Sequence, residues 1–145
     1  MASESVWRRM LLVATGLVIA VAAILALGVI PPLRASAALH GLPDMVTPFW
    51  GPFVIANVLV AAALLGAMGA TPRGGCAGIV LLGAAGLVAL ASGLLVPLPA
   101  LEFYFYDNSR DAWTFLLFAC GGGDLTAGVL AFAALVVWLR KPRSL

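Results

Sequence analysis

Long runs of apolar residues dominate the chain and leave little room for polar surface. They cover about residues 10–30, 53–70, 76–97 and 113–139. A transmembrane helix needs about 20 consecutive apolar residues, because the hydrocarbon core of a bilayer is about 30 Å thick and each helical residue rises about 1.5 Å. The pattern therefore predicts an all-α, polytopic membrane protein, a four-transmembrane-helix bundle that crosses the cell (plasma) membrane several times.

The composition agrees with this pattern. Of the 145 residues, 63% are hydrophobic and only 10% are charged. Four spans use up most of the chain, so residues 1–145 are expected to form a single transmembrane domain. The net charge of +2 does not indicate a nucleic-acid partner, because the basic residues lie beside the membrane segments. The expected partners are the lipid bilayer and either another membrane protein or further copies of this chain.

The basic residues divide unequally between the two sides of a four-span chain. Six of the eight fall on the side of the termini and two on the opposite side. Positive charge near the ends of spans marks the cytoplasmic face. Both termini are therefore predicted to be cytoplasmic. The larger group contains Arg8, Arg9, Arg73, Arg140, Lys141 and Arg143, and the smaller contains Arg34 and Arg110.

Prolines are expected to mark the ends of the spans, because proline lacks the N–H group that a helix interior uses. Pro31 and Pro32 are predicted to end the first span, and a short helix is expected after them at about residues 35–40. Pro52 is predicted to stand in the first turn of the second span, and Pro97 to stop the third.

The connections differ in length, and the difference indicates where function lies. The cytoplasmic hairpin at residues 71–75 is minimal, whereas the outer connections at 31–52 and 97–112 are long and carry His40 and Glu102. Function is therefore expected at the outer face. The structural alternative is that both enlarged loops only cap the bundle, with aromatic side chains anchored among the lipid headgroups.

Small residues recur four positions apart in three of the spans. Such pairs let helix backbones approach closely, and in lipid this packing holds helices together because no hydrophobic drive acts between them. The pairs serve either packing within the bundle or association with a partner. They are Gly16 and Ala20, Ala62 and Gly66, and Ala85 and Ala89.

An aspartate interrupts the last apolar segment directly after three glycines. Burying Asp124 near mid-bilayer costs about 2.5–3.5 kcal/mol on insertion scales, so its side chain should face the bundle, pair with a donor or stay protonated. The glycines at 121–123 are expected to break the fourth helix. Asp124 would then be either the N-cap of a helix at 125–139 or part of a ligand or proton site.

Other polar residues are candidates for the same site. Asn57 and Ser92 lie at similar depths on the outer side, so they are expected to converge on Asp124. His40 would cover the cavity from above together with Glu102. Each of the three outer-half residues also has a purely structural role open to it: Ser92 can bond to a carbonyl of its own helix, Asn57 can cross-link helices, and His40 can be solvated.

Several chemistries have no support in the sequence. A single histidine supplies neither a bis-histidine haem nor a dinuclear metal centre, and no nucleophile or phosphate-binding motif is present. No cofactor and no metal are therefore expected, no catalytic residue can be named, and whether the protein is an enzyme stays open. Cys76 and Cys120 are expected to be free, buried thiols, because they lie too far apart in depth to form a disulfide.

Three classes of function remain. The favoured one is a non-catalytic subunit or partner-binding component of a membrane complex. The second is an oligomeric transporter or channel component that uses Asp124 in a broken fourth helix. The third is a membrane-embedded enzyme with an outer-facing site. The outline of four short spans with enlarged outer loops resembles that of several small bacterial membrane families, the DoxX-like proteins among them, and the likeness covers architecture only.

Overall fold

The computed structural model describes residues 2–70, 76–99 and 112–140, and the secondary structure in these parts is helical. The first helix passes through a π-helical segment into the second helix without a loop. The helices are α1 at Ala2–Ala23, the π-helical segment at Ile24–Val29, α2 at Ile30–Leu39, α3 at Val46–Ala70, α4 at Cys76–Leu95 and α5 at Ala112–Leu139.

Four helical stretches within the described residues are long and apolar enough to cross a membrane. They are Val6–Leu39, Val46–Gly69, Cys76–Leu95 and Phe115–Leu139. The prediction of an all-helical chain with four such helices is confirmed. The first and second stretches extend further into the connection between them than predicted.

The four long helices form a ring in which each packs against two neighbours. Helices α3 and α5 both pack against α1 on one side and α4 on the other. The interior is filled by aliphatic and small side chains, among them Leu11, Leu64 and Leu82, which are fully buried. A polar side chain that points into this ring is shielded from lipid on every side.

Pro31 and Pro32 do not end the first span, so that prediction is wrong. They stand in the first turn of α2, directly after the π-helical segment at Ile24–Val29. The first N–H groups of a helix have no intrahelical partner, so proline costs little there. The helix continues to Leu39 and ends before Gly41, whose φ of 67° is a left-handed conformation that glycine adopts readily.

Pro52 lies inside α3, whereas the sequence placed it in the first turn of that span. The helix begins six residues earlier, at Val46. Asp44 Oδ1 accepts hydrogen bonds from the N–H groups of Val46, at 3.2 Å, and Thr47, at 3.1 Å, and so caps the earlier start. Asp44 Oδ2 also lies 3.4 Å from Arg34 Nε, which ties the cap to α2.

The third span ends as predicted, and the fourth does not break as predicted. Helix α4 stops at Leu95, two residues before Pro97. Helix α5 is continuous from Ala112 to Leu139 and runs through the glycines at 121–123 without interruption. Asp124 is therefore in the middle of a helix, and the alternative in which it caps a separate helix is wrong.

The three successive glycines serve three different faces of α5. A Cβ atom on Gly121 would lie 2.9 Å from the carbonyl oxygen of Gly93 in α4, and one on Gly123 would lie 3.0 Å from Cγ2 of Val21 in α1. A Cβ on Gly122 would meet nothing within 4 Å. Two of the glycines thus allow close contact with two neighbouring helices, which explains why the segment stays helical.

The contact between α4 and α5 repeats after seven residues. Gly86 and Gly93 on α4 face Gly128 and Gly121 on α5, and a Cβ on Gly128 would lie 3.1 Å from the carbonyl oxygen of Gly86. Small residues at this spacing bring two helix backbones close together along one seam. The seam determines how near a side chain of α4 comes to α5 at the level of Asp124.

The small-residue pairs predicted from the sequence behave differently from one another. Ala85 and Ala89 are buried inside the bundle. The other two pairs are exposed on the outside of the bundle, and a Cβ on Gly16 would meet nothing within 4 Å. The exposed pairs are Gly16 with Ala20 on α1 and Ala62 with Gly66 on α3.

Candidate functional site

Asp124 is fully buried in the ring of helices. Its exposed fraction is 0%. It lies one residue after Gly123, which packs on α1, and three after Gly121, which packs on α4. Close contact on both flanks of α5 turns the carboxyl group inward, because the lipid-facing side of the same turn is occupied by Gly122, which is exposed. The expectation that Asp124 faces the bundle is confirmed.

Two donors from two other helices reach one oxygen of this carboxyl group. Ser92 Oγ of α4 donates to Asp124 Oδ2 at 2.7 Å. Asn57 Nδ2 of α3 donates to the same oxygen at 3.2 Å and also to the carbonyl oxygen of Phe53 at 2.8 Å. The predicted convergence of the three residues is confirmed, and their hydrogen bonds connect α3, α4 and α5.

The short bond from Ser92 depends on the glycine seam. Ser92 precedes Gly93, the residue at which α4 comes within contact distance of the α5 backbone. A serine side chain is short, so it bridges two helices only where their backbones are close. The hydroxyl group of Thr15, unlike that of Ser92, bonds within its own helix. Its Oγ1 donates to the carbonyl oxygen of Leu11 at 2.7 Å.

The second oxygen of the Asp124 carboxyl group is Oδ1. It is buried and has no hydrogen-bond partner among the described residues. A buried polar atom without a partner costs about 1–3 kcal/mol, and more if the group is charged. The arrangement therefore stabilises charge at Oδ2 and leaves Oδ1 free to carry a proton.

Trp50 supplies the other buried polar side-chain atom that lacks a partner in the described part of the chain. Its ring is 8% exposed, and Nε1 has no acceptor. Trp50 lies seven residues before Asn57 on α3, so the two side chains share a helix face about 10 Å apart along the axis. Trp50 was not among the residues predicted for the site, although its spacing from Asn57 is visible in the sequence.

Two open cavities border Trp50. One, of about 270 Å³, is lined by residues that include Ser36, His40 and Trp50. The other, of about 440 Å³, is lined by apolar side chains, among them Phe49 and again Trp50. Trp50 and Val46 line both cavities.

His40 does not join the cluster in the described structure. His40 is exposed at the end of α2, and its Nδ1 lies 2.8 Å from the carbonyl oxygen of Ser36. It lines an outer cavity and has no hydrogen bond with Asp124. Glu102 lies outside the described residues. The structure thus brings together three of the five candidates, Asp124, Asn57 and Ser92.

Neither cysteine forms a disulfide. Cys76 and Cys120 are both free, as predicted; Cys120 is buried, and Cys76 is exposed, so the expectation of burial is wrong for Cys76. Across residues 2–70, 76–99 and 112–140, no group of three or more His, Cys, Asp or Glu side chains is placed to hold a metal ion.

Comparison with known proteins adds no further constraint. No protein-family model matches the chain, and no curated protein or solved structure is significantly similar to it. The functional argument therefore rests on the buried cluster of Asp124, Asn57 and Ser92.

Proposed function

We propose that the protein binds and releases a proton at Asp124 inside the membrane, as a component of an oligomeric transporter or channel. The observation that carries this proposal is the asymmetry of the carboxyl group: Ser92 and Asn57 both donate to Oδ2, and Oδ1 has no partner among the described residues. Helix α5 is continuous at Asp124, whereas a broken helix was expected from the sequence. The continuous helix contains the same carboxyl group.

The energetics favour a functional role over a packing role. Interhelical hydrogen bonds in membrane proteins contribute about 0.6 kcal/mol each on average, so two of them stabilise by about 1.2 kcal/mol. Placing an aspartate at this depth costs about 2.5–3.5 kcal/mol. Packing alone would be served better by an asparagine or an apolar side chain, and intramembrane carboxylates of this kind typically belong to proton relays.

A proton fits this site better than a metal cation does. Hard cations such as Ca²⁺ and Mg²⁺ take about six or more oxygen ligands. Here the groups aimed at Asp124 are an amide N–H and a hydroxyl O–H, which donate hydrogen bonds and stabilise negative charge. One free carboxylate oxygen is enough to hold a proton.

The proposed setting is the plasma membrane, with both termini in the cytoplasm and the longer connections outside. The support is the division of basic residues, six on the side of the termini and two on the other. On this topology the cavities beside Trp50 open towards the outer face.

Infrared difference spectroscopy of the full-length protein tests the site directly. Spectra recorded at two pH values should contain the carbonyl band of a protonated carboxyl group in a dry environment. The band should be absent in Asp124→Asn and retained in the matched control Asp44→Asn, because Asp44 is exposed. A band that survives in Asp124→Asn would refute the proposal.

Proton flux into proteoliposomes tests the activity. Vesicles that contain the wild-type protein and a pH-sensitive dye should acidify faster than empty vesicles when an inward proton gradient is imposed. Asp124→Asn should reduce the flux to the level of empty vesicles while its helix content stays unchanged. Equal flux through wild type and Asp124→Asn would contradict a role for this carboxyl group.

A second candidate is the non-catalytic subunit or partner-binding component favoured by the sequence. The supporting observation is that Gly16 and Ala20 form a small-residue face on the outside of α1 that no other helix among the described residues covers. Gly16→Leu should then dissociate an assembly seen by native mass spectrometry in mild detergent. Gly69→Leu, at another exposed glycine with open surroundings, is the control and should leave the assembly intact.

A wild-type protein that is monomeric and carries no protein partner under those conditions would contradict the second candidate. The third possibility, an outer-facing enzyme, gains no support, because the ring of His40 is exposed and bonds to Ser36 instead of Asp124.

A further inference from the structure

We propose that Asp124 exchanges its proton with the outer side only, along a route that passes Cys120 and is closed at its outer end by the indole ring of Trp50. This inference rests on the proposed function and adds the side of access and the gate. It follows from the placement of the buried polar atoms, the outer cavities and the π-helical segment.

The route begins at the outer cavities. Trp50 lines both of them, and its ring is buried against the interior. Below the ring, Trp50 packs in one buried cluster with Leu117 and Cys120 of α5. Cys120 precedes Asp124 by four residues, so it lies one turn further out on the same face of α5. Trp50, Cys120 and Asp124 therefore follow one another inward from the cavities.

The two ends of this path carry the unpartnered polar atoms. Nε1 of Trp50 is a donor without an acceptor, and Oδ1 of Asp124 is an acceptor without a donor, among the described residues. Water supplies both kinds of group and satisfies buried polar atoms where side chains do not. When the packing around Cys120 opens locally, a short chain of water molecules between the two atoms would satisfy both and conduct a proton.

The π-helical segment lies beside the same path. Leu25 and Val29, within Ile24–Val29, pack in the cluster that contains Trp50 and Cys120. π-helical turns are often found at functional sites. The wall of the route beside Trp50 and Cys120 therefore includes a segment that is not α-helical.

Few other titratable groups face this path. Among the described residues, Cys120 is buried beside it, whereas His40 and Asp44 are exposed at its outer mouth. The basic residues of α1, Arg8 and Arg9, are exposed and lie about three and a half turns from Val21, the residue of that helix that faces Gly123. The proton on Asp124 therefore has one direction in which polar groups lead to water.

The native thiol of Cys120 reports whether the route opens. In a Cys76→Ser background, Cys120 is the remaining cysteine. A small, charged, membrane-impermeant methanethiosulfonate reagent is added to one side of sealed vesicles that contain the full chain. Labelling of Cys120 should be slow, and Trp50→Ala should speed labelling from the outer side by at least about tenfold, because local opening no longer has to displace the ring.

Two variants make the test specific. Phe49→Ala removes a neighbouring ring that is exposed and contacts Trp50 edge-on at 4.9 Å, and it should leave the labelling rate unchanged. Trp50→Phe keeps a ring in place and should label slowly, like the background protein. If Trp50→Ala does not fold, as judged by helix content, Trp50→Leu takes its place.

Three results would overturn the inference: no acceleration in a folded Trp50→Ala or Trp50→Leu variant, equal acceleration in Phe49→Ala, or faster labelling from the cytoplasmic side. These failures are distinct from failure of the proposed function. Labelling is measured without any proton flux, so a closed route with an intact Asp124 infrared band refutes the gate alone, and an open route without that band refutes the proton site alone.

Discussion

Replacing the glycines at 121–123 one at a time by alanine should give three different results, although the three residues are adjacent and identical. At Gly121 the added methyl group would lie 2.9 Å from the carbonyl oxygen of Gly93 and 2.9 Å from Cγ of Pro97. At Gly123 it would lie 3.0 Å from a methyl group of Val21, and at Gly122 it would meet nothing within 4 Å.

The magnitudes follow from two effects. Alanine is favoured over glycine in a helix interior by about 0.8–1.0 kcal/mol, and this gain applies to all three variants. Overpacking a close contact costs about 1–3 kcal/mol. The gain in helix propensity is the same in Gly121→Ala and Gly122→Ala, so it cancels when the two variants are compared. Gly121→Ala should therefore be less stable than Gly122→Ala by about 1–3 kcal/mol. Gly123→Ala should fall between them, because the end of a side chain moves more easily than a backbone carbonyl.

Reversible unfolding in mixed detergent micelles, followed by circular dichroism, measures these differences. Gly122→Ala should be at least as stable as the wild-type protein. Gly121→Ala should also weaken the bond from Ser92 to Asp124, because α4 has to move away from α5 at the level of Gly93. If Gly121→Ala and Gly122→Ala were equally stable, the close seam between α4 and α5 would be refuted, and a flexible break at the glycines would be the better description.

Two further predictions concern the outer cap and the topology. Hydrogen bonds from Thr47, first from its backbone N–H, hold the pKa of Asp44 below its usual value of 3.8. A carboxyl group with a lowered folded-state pKa stabilises the fold at pH values above its unfolded-state pKa, and this stabilisation is lost as the pH falls through the folded-state pKa. The amide resonance of Thr47 should therefore shift with acidification below about pH 4, and Asp44→Asn should abolish the shift. For the topology, single cysteines at Ser3 and Ser144 should react only from the cytoplasmic side and one at Ser109 only from outside, and opposite accessibility of Ser3 and Ser144 would exclude four spans.

Part of the site was predictable because it is energetically costly to expose a carboxylate to hydrocarbon. A carboxylate inside an apolar segment must turn away from lipid and find donors, and Asn57 and Ser92 were the polar residues at matching depth. The same reasoning failed for the glycines at 121–123, because conformational freedom is only one property of glycine. Its lack of a side chain also permits close contact, and which property matters depends on whether a neighbouring helix is present.

The proline predictions show a similar division. Pro97 follows the end of α4 as expected, whereas the first span continues through Pro31 and Pro32. Proline excludes a helix interior but is accepted in a first turn, and the sequence does not reveal that the π-helical segment at Ile24–Val29 makes a new first turn possible.

The sequence by itself determined that the chain is helical and that four helices are long enough to cross a membrane, and it predicted that Asp124 faces inward. These properties follow from bilayer thickness and from the cost of exposing polar groups to hydrocarbon, which act on each segment separately. The tertiary structure decided which oxygen of Asp124 is held by Ser92 and Asn57, and that Trp50 is buried where it lines two cavities. Those features depend on how each helix is rotated and how closely its neighbours approach, and contacts between distant parts of the chain determine both.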